Sequence, residues 1–181
     1  MEKYDLIKMG KYLDCDLYWY VLDIDTDKAL LICKDIVDFM PFGNSQLYND
    51  SRIRNFLNYY FYDSSFTLEE KSNILDTNLN LLDNKLDKVF IFSKEEALKY
   101  LSHNQDIVPA KSLENINIER EKYVGWVGGT HNYWLRTKAE YVDVEVYYIS
   151  NYWNSTSTHF IGSCYGVRPA MYIKLEKRIV E

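Results

Sequence analysis

The sequence predicts one α+β domain spanning residues 1–181, and the order of its local patterns supports this fold class. Segments rich in aromatic and β-branched residues lie at 17–34 and 133–175, as expected for strands. Between them, residues 51–75 and 93–101 place apolar side chains at helical spacing behind capping residues. Strands that flank central helices are typical of an α+β domain, and we expect the first and last strands to pair in one sheet.

The first predicted element is a β-hairpin. Residues 17–25 have the sequence LYWYVLDID, which is rich in aromatic and β-branched side chains. A polar turn at 25–28 separates this strand from a second apolar segment, ALLICK, at 29–34. Two apolar segments joined by a short polar turn predict a pair of antiparallel strands.

Two or three helices are predicted in the middle of the chain. In the segment SRIRNFLNYYFY, Ser51 can cap a helix whose apolar face contains Ile53, Phe56, Leu57 and Tyr60. The spacing of these four residues matches one side of an α-helix and indicates that this side faces the core.

Two capping boxes mark further helix starts. They pair Thr67 with Glu70 and Ser93 with Glu96, so that each hydroxyl can bond to the first turn of its helix. The short apolar segment KVFIF at 88–92 precedes the second box. It predicts a strand that leads directly into a helix.

The C-terminal half combines loops with strands. Residues 102–121 lack periodicity and are predicted to form a long surface connection. Gly125, Gly128 and Gly129 permit tight turns before a strand that contains Trp134 and Arg136. Residues 141–150, YVDVEVYYIS, alternate between apolar and polar side chains and predict a half-buried strand. Residues 151–163 are predicted to be a loop or hairpin tip, and residues 165–175 a single closing strand.

The composition argues against several classes of protein. With 47% hydrophobic residues, the chain can bury the core of a globular domain. Its net charge of −6, with no run of lysine or arginine, argues against a nucleic-acid partner. The first residues contain no uninterrupted apolar segment, so neither a signal peptide nor a membrane anchor is predicted.

The cysteines indicate a reducing environment. Cys15, Cys33 and Cys164 are far apart and form no C-x-x-C motif. An odd number leaves at least one thiol unpaired, so we expect small buried or half-buried side chains in a reducing compartment. We therefore expect a cytoplasmic location, unless the sequence is part of a longer secreted chain.

Five segments occur in an order that resembles a known domain family. They are WYVLDID…KALLICKDIVD, IRNFLNYYFYDSSFTLEEKSNIL, DKVFIFSKEEALKYL, YWLRT and YGVRPAMYI. Together they resemble an uncharacterised bacterial domain family with a Trp-Leu-Arg run and a closing Gly-Val-Arg-Pro-Ala strand. The resemblance covers roughly residues 17–175, but the family brings no assigned activity.

The closing segments also resemble formylglycine-generating-enzyme-type domains, which have a C-type-lectin-like fold. This resemblance implies a small twisted antiparallel sheet, two flanking helices and chain ends that come together. In this chain Thr137-Lys138-Ala139 replaces the more usual Ser-Pro-Gly after the arginine of YWLRT, so the shape of that loop is open.

Two arginines within apolar segments are candidate structural residues. If 165–173 is one alternating strand, Arg168 shares a face with Gly166, Ala170 and Tyr172, which leaves room for a long planar side chain. A guanidinium with five donors can join several loop carbonyls or a carboxylate. We expect Arg136 and Arg168 to be internal ties. Anion recognition in a pocket is the alternative.

The carboxylates of Asp143 and Glu145, and the C-terminal half of the aromatic loop, are candidate partners for the two arginines. An unpaired buried guanidinium would be costly, so some partner is required. The sequence alone does not select one of them.

An aromatic and polar loop is the best candidate for binding. Tyr152, Trp153, Asn154 and His159 are residue types that give recognition surfaces a large contact area at low entropic cost. Packing of the same rings against the core is the alternative. If the fold is lectin-like, this segment falls where such domains carry ligand-contacting loops. Its candidate neighbours are Trp126, Asn132 and Tyr133.

Catalysis has less support in the sequence. The histidines, His103, His131 and His159, lack metal-ligand spacing, so no metal or cofactor is expected. A thiol-dependent enzyme of formylglycine-generating type that uses Cys164 is the main alternative to a binding module. It would also need Cys15 or Cys33 nearby.

A structural subunit that buries its aromatic residues in a homo-oligomer is the third hypothesis. The binding-module hypothesis instead predicts a protein or a small anionic ligand as the partner.

Overall fold

A computed structural model describes residues 1–102, 104–116, 130–151 and 155–175. Four strands form one antiparallel sheet in the order β1-β2-β3-β11. Their bounds are β1 Leu6–Tyr12, β2 Cys15–Ile24, β3 Lys28–Cys33 and β11 Ala170–Lys174. The predicted hairpin is confirmed by the pairing of β2 with β3. As predicted, the N-terminal strands and the last strand lie in one sheet, through the pairing of β3 with β11.

A second sheet has five strands in the order β4-β10-β7-β8-β9. Their bounds are β4 Asp38–Pro41, β7 Tyr133–Lys138, β8 Glu145–Ser150, β9 Ser155–Phe160 and β10 Cys164–Val167. All neighbours are antiparallel except β10 and β7, which meet at one parallel bridge. A two-stranded ribbon joins β5 Thr77–Asn78 to β6 Leu86–Asp87. Buried side chains of both large sheets contribute to one core.

The helical elements lie between β4 and β7 and confirm the α+β class. They are a 3₁₀ turn Tyr48–Asp50, α1 Arg52–Asn55, a π-helical segment Phe56–Phe61, α2 Tyr62–Ser65, α3 Leu68–Asn73 and α4 Lys94–Tyr100. Ser51 caps α1 by accepting the amide of Arg54. Both predicted capping boxes are present, at the starts of α3 and α4. No helix in the described ranges is long and apolar enough to cross a membrane.

The predicted closing strand is in fact two strands in different sheets. β10 ends at Val167 in the five-stranded sheet, and β11 begins at Ala170 in the four-stranded sheet. Pro169 has no backbone N–H, so a continuous ladder through this position would lose a bond. Arg168 therefore lies at the crossing between the sheets, and the shared face predicted for residues 166–172 is wrong.

The predicted strand KVFIF is an extended segment without a ladder. Phe90 exchanges two backbone bonds with Ala170, of 2.9 Å and 2.7 Å, while the carbonyl of Phe92 accepts the amide of Arg136 at 2.8 Å. The side chain of Asn58 accepts the amide of Lys88. The segment forms no regular strand because its backbone bonds go to separate elements.

The segment predicted to be a surface connection is only partly at the surface, because five of its described residues are buried. Ile107, Val108, Leu113 and Ile116 belong to the core. The amide of Leu113 donates to Ile36, which anchors this irregular segment to the residues that precede β4. Burial without regular structure gives no periodic signal, so the sequence pattern could not reveal it.

The alternating segment 141–150 is a strand only in its second half. β8 begins at Glu145, whereas Val142 and Val144 are exposed. Part of the predicted loop 151–163 is instead a regular strand, β9, which pairs with β8 from Ser150 to Glu145. The polar residues of β9 therefore line the edge of the five-stranded sheet.

Candidate functional site

Four aromatic side chains form a row across one side of the five-stranded sheet, here called the aromatic face: Trp134, Tyr148, His159 and Tyr165. The ring of Tyr165 lies 4.8 Å from Trp134, 4.7 Å from Tyr148 and 5.1 Å from His159, measured between centroids. Trp134 and Tyr165 are buried, Tyr148 is half-buried and His159 is exposed. The row thus runs from the core to the surface.

Strand register explains why these rings meet. Trp134 is directly opposite Tyr148 in the pairing of β7 with β8, and Tyr148 is opposite Ser157 in the pairing of β8 with β9. His159 lies two residues beyond Ser157, so it occupies the diagonal position next to Tyr148. The centroids of Tyr148 and His159 are 6.1 Å apart.

Hydrogen bonds fix the polar parts of the aromatic face. Burial raises the pKa of Tyr165 to about 12, and the side chains of Asn132 and Tyr148 are near enough to its hydroxyl to influence that pKa. Tyr165 is therefore a neutral phenol at physiological pH. Asn132 Oδ1 accepts the amide of Asn151 at 2.9 Å, and Asn151 Nδ2 donates to the Thr130 carbonyl at 2.7 Å. These contacts connect the start of β7 to the end of β8.

The structure brings two of the predicted binding residues, Asn132 and His159, to the same ring, that of Tyr165. Tyr133, predicted as their neighbour, is instead buried, and its hydroxyl donates to the Val108 carbonyl at 2.9 Å. Its side chain is therefore not available at the surface. The other predicted binding residues, Trp126 and Tyr152-Trp153-Asn154, lie outside the described residues.

Tyr148 and Tyr165 were not among the predicted binding residues. The signal that could have identified Tyr148 is the alternation of residues 141–150, which places Tyr148 on the same face as Val146. Tyr165 could not be found in this way, because its position beside Asn132 depends on the long-range pairing of β10 with β7.

Arg168 is 1% exposed and donates only to neutral oxygens among the described residues. Nε donates to the Cys33 carbonyl at 2.8 Å, and Nη1 donates to the Val108 carbonyl and the Tyr133 hydroxyl, each at 3.1 Å. The guanidinium carbon lies 5.2 Å from the centre of the Tyr133 ring. This geometry is what an internal tie requires. The structural role of Arg168 stays a prediction.

Arg136 has an acidic partner, but not one of those considered from the sequence. Its guanidinium forms a two-pronged ion pair with Glu96, with Nη2 donating to Oε1 at 2.7 Å, and Nη1 also donates to the Ile91 carbonyl at 2.8 Å. Of the candidate partners, Glu145 accepts the Thr158 hydroxyl at 2.6 Å, and Asp143 is exposed. Arg136 thus joins β7 to the start of α4.

A second buried arginine, Arg54, was not singled out in the sequence. Its Nε donates to Asp87 Oδ1 at 2.7 Å and its Nη1 to Asp83 Oδ2 at 2.6 Å. Asn58 Nδ2 donates to the same Asp87 oxygen at 3.0 Å. Burial raises the pKa of Asp87, although the bond from Arg54 opposes that rise. The network anchors α1 to the ribbon of β5 and β6.

The cysteines are free thiols in different environments. Cys33 is buried, and burial raises its pKa to about 12, so it is protonated at neutral pH and is a poor nucleophile. Cys15 and Cys164 are half-buried, and Cys164 lines an open cleft beside β4. In the described ranges, no group of three or more His, Cys, Asp and Glu side chains could hold a metal ion.

The fold and the site define an α+β domain with two large sheets. Buried Arg168 lies where the chain crosses between them, and the five-stranded sheet carries the aromatic face, whose rings run from buried to exposed. The chain belongs to the family described as domain of unknown function DUF6273, which matches residues 26–175. Neither the curated proteins nor the solved structures gave a significant match.

Proposed function

We propose that this chain is a non-catalytic binding module that recognises a protein partner through the aromatic face. The observation that carries this proposal is the row of rings from buried Trp134 to exposed His159. An aromatic cluster anchored in the core and open at one end resembles the energetic centre of a protein interface. Tyr152-Trp153-Asn154, which lie between β8 and β9 in the sequence, complete the proposed contact surface.

Pre-organisation supports binding at this face. Tyr148 and Tyr165 are held by their mutual ring contact and by the contact of Tyr165 with buried Trp134, so a partner does not have to immobilise them. Each mobile side chain fixed on association costs about 0.5–1.5 kcal/mol, and rings that are already fixed avoid that cost. The three free cysteines support a cytoplasmic setting for the interaction.

We also propose that the domain is a distant member of the C-type-lectin-like superfamily that includes formylglycine-generating enzymes. The pairing of β11 with β3 supports this relationship, because it brings the first and last strands into one sheet. In such a fold, the segment between β8 and β9 would belong to the region that contacts ligands.

The experiment is affinity capture from host lysate, followed by binding of the purified partner to purified variants. We expect His159→Ala and the double variant Tyr152→Ala/Trp153→Ala to weaken binding by about tenfold or more, as loss of interface anchors does. Tyr141→Ala is the matched control, because Tyr141 is 93% exposed and lies outside the aromatic face. Equal affinities for all these proteins would refute the proposal.

A thiol enzyme is the second candidate, and the position of Cys164 beside an open cleft favours it. Cys164→Ser distinguishes the two functions. A binding module keeps its partner affinity in this variant, whereas a thiol-dependent enzyme loses its turnover. A monomer mass at micromolar concentration would remove the third hypothesis, that of a homo-oligomer subunit.

A further inference from the structure

An open cleft of about 540 Å³ lies between β4 and the helical elements, here called the Arg52 cleft. The residues that matter for its chemistry are Tyr12, Asp38, Arg52, Phe56, Tyr60 and Cys164. Its volume falls within the range of small-molecule sites, about 300–1,000 Å³. None of these residues belongs to the aromatic face, so the cleft can act independently of the proposed protein interface.

Three aromatic rings form one wall of the cleft. The centroids of Phe56 and Tyr60 are 6.0 Å apart with 29° between their planes, so the two rings are stacked. Tyr12 meets both edge-on, at 6.3 Å from Phe56 and 6.4 Å from Tyr60. Tyr60 is 58% exposed, which leaves ring surface that a planar ligand can cover.

The stacked pair belongs to the π-helical segment Phe56–Phe61. The amide of Tyr62 donates to the carbonyl of Leu57, five residues earlier, instead of to the residue four before it. Segments of this kind are rare and occur frequently at functional sites. Phe56 and Tyr60 lie four residues apart, on the side of this segment that lines the cleft.

Arg52 supplies an unused charge at the same place. Its side chain is exposed and makes no ion pair or hydrogen bond with a described residue. By contrast, Arg54, Arg136 and Arg168 all have bonded guanidinium groups. A planar guanidinium beside aromatic rings matches a carboxylate that is carried on a ring.

The edge strand beside the cleft does not favour an extended peptide. β4 is the outer strand of its sheet, so a peptide could in principle add to it. However, the amide of Phe39 already donates to the Asp38 carboxylate at 2.7 Å, and Pro41 has no N–H. Both features protect an edge from strand addition. The occupant is therefore better sought among small molecules.

We propose that the Arg52 cleft binds a small planar aromatic carboxylate. Its ring lies against Phe56 and Tyr60, and its carboxylate accepts two hydrogen bonds from Arg52. The geometry requires no covalent step and no metal.

The test uses fluorine NMR with purified full-length protein and a panel of fluorinated benzoates and indole carboxylates as probes. Each acid is paired with its neutral amide, which keeps the ring and removes the charge. We expect at least one acid to bind wild-type protein about tenfold more tightly than its amide. Failure of every acid to bind, or equal binding of acid and amide, would overturn the proposal.

Variants locate the site of the probe. Arg52→Gln should weaken the acid about tenfold or more, because it removes the charge from an exposed side chain without disturbing the core. Lys138→Gln removes an equally exposed charge on β7 and should leave the affinity unchanged. His159→Ala should also leave it unchanged, which separates this site from the protein interface. Full binding by Arg52→Gln would refute the assignment.

Discussion

The Arg168 guanidinium donates to the backbone carbonyl of Cys33 at 2.8 Å, although 135 positions separate the two residues in the chain. Arg168 stands where β10 gives way to β11, and Cys33 is the last residue of β3. A second hydrogen bond joins backbone groups at the same junction: the Cys33 amide donates to the Pro169 carbonyl at 2.8 Å. The crossing between the two sheets is thus fixed by one side chain and the backbone beside it.

Arg168→Ala should destabilise the domain by about 3 kcal/mol or more. The substitution leaves the Cys33 carbonyl buried without this donor, removes one of the two donors to the Val108 carbonyl and empties the space beside the Tyr133 ring. A buried group without a partner alone costs about 1–3 kcal/mol. Arg168→Lys should recover only part of the loss, because one ammonium cannot reach all the acceptors. Urea unfolding measures the loss in the free energy of unfolding for each of the two variants. A fully stable Arg168→Ala protein that had lost only ligand binding would show that the arginine serves recognition.

Arg54→Met should cost about 3–5 kcal/mol near neutral pH, since it leaves the Asp87 carboxylate buried without its cation. Burial already raises the pKa of Asp87, and loss of Arg54 removes a bond that opposes this rise. A raised folded-state pKa means that the folded protein gains stability, relative to the unfolded chain, as pH falls through that pKa.

The stability difference between Arg54→Met and wild type should therefore be smaller at about pH 5 than at about pH 8. Urea unfolding at the two pH values measures it. Adding Asp87→Asn to the variant should abolish this pH dependence. An unchanged pH dependence would mean that Asp87 is not the group responsible.

Glu96→Gln should destabilise the domain by about 1–3 kcal/mol, because the cation of Arg136 loses its charged partner. The capping box of α3, formed by Thr67 and Glu70, offers a control. Glu70 forms no ion pair with a described residue, but its two oxygens accept the amides of Gly10 and Thr67. Glutamine keeps only one acceptor oxygen, so Glu70→Gln should cost about 1 kcal/mol, less than Glu96→Gln. Thermal unfolding of Glu96→Gln and Glu70→Gln measures the two losses of stability. The difference between them reports the contribution of the ion pair with Arg136. Equal losses would assign the whole effect to capping.

Tyr165→Phe should change the response to alkaline pH. Burial raises the pKa of Tyr165 to about 12, whereas an unfolded tyrosine ionises near pH 10. The neutral phenol therefore contributes stability that is fully present below about pH 10 and is lost as pH rises towards 12. Wild type should have a larger free energy of unfolding than Tyr165→Phe at about pH 8, and this difference should become smaller by about pH 11. For the control variant Tyr141→Phe, the difference from wild type should be the same at both pH values. A difference for Tyr165→Phe that does not change with pH would contradict the burial argument.

Local signals explain which parts of the fold the sequence predicted. A capping box needs only four consecutive residues, so Ser93 and Glu96 identified the start of α4 correctly. The partner of Arg136 could not be found in the same way, because Glu96 is 40 positions away. The division of the closing strand at Pro169 likewise depends on which strands lie beside it. The buried residues within 104–116 gave no periodic signal because the backbone there is irregular.

The order of the strands also has a consequence for synthesis. β3 and β4 emerge early from the ribosome, but their partners β11 and β10 are among the last described elements to be made. Until residues 164–174 emerge, neither large sheet can be completed, and β3, β4 and β7 each lack a neighbouring strand. Contacts between distant parts of a chain form slowly, and open edges favour association with other chains. We therefore expect a nascent chain of this domain to be prone to association until its last described strands are made, and a fragment that stops before Cys164 to aggregate.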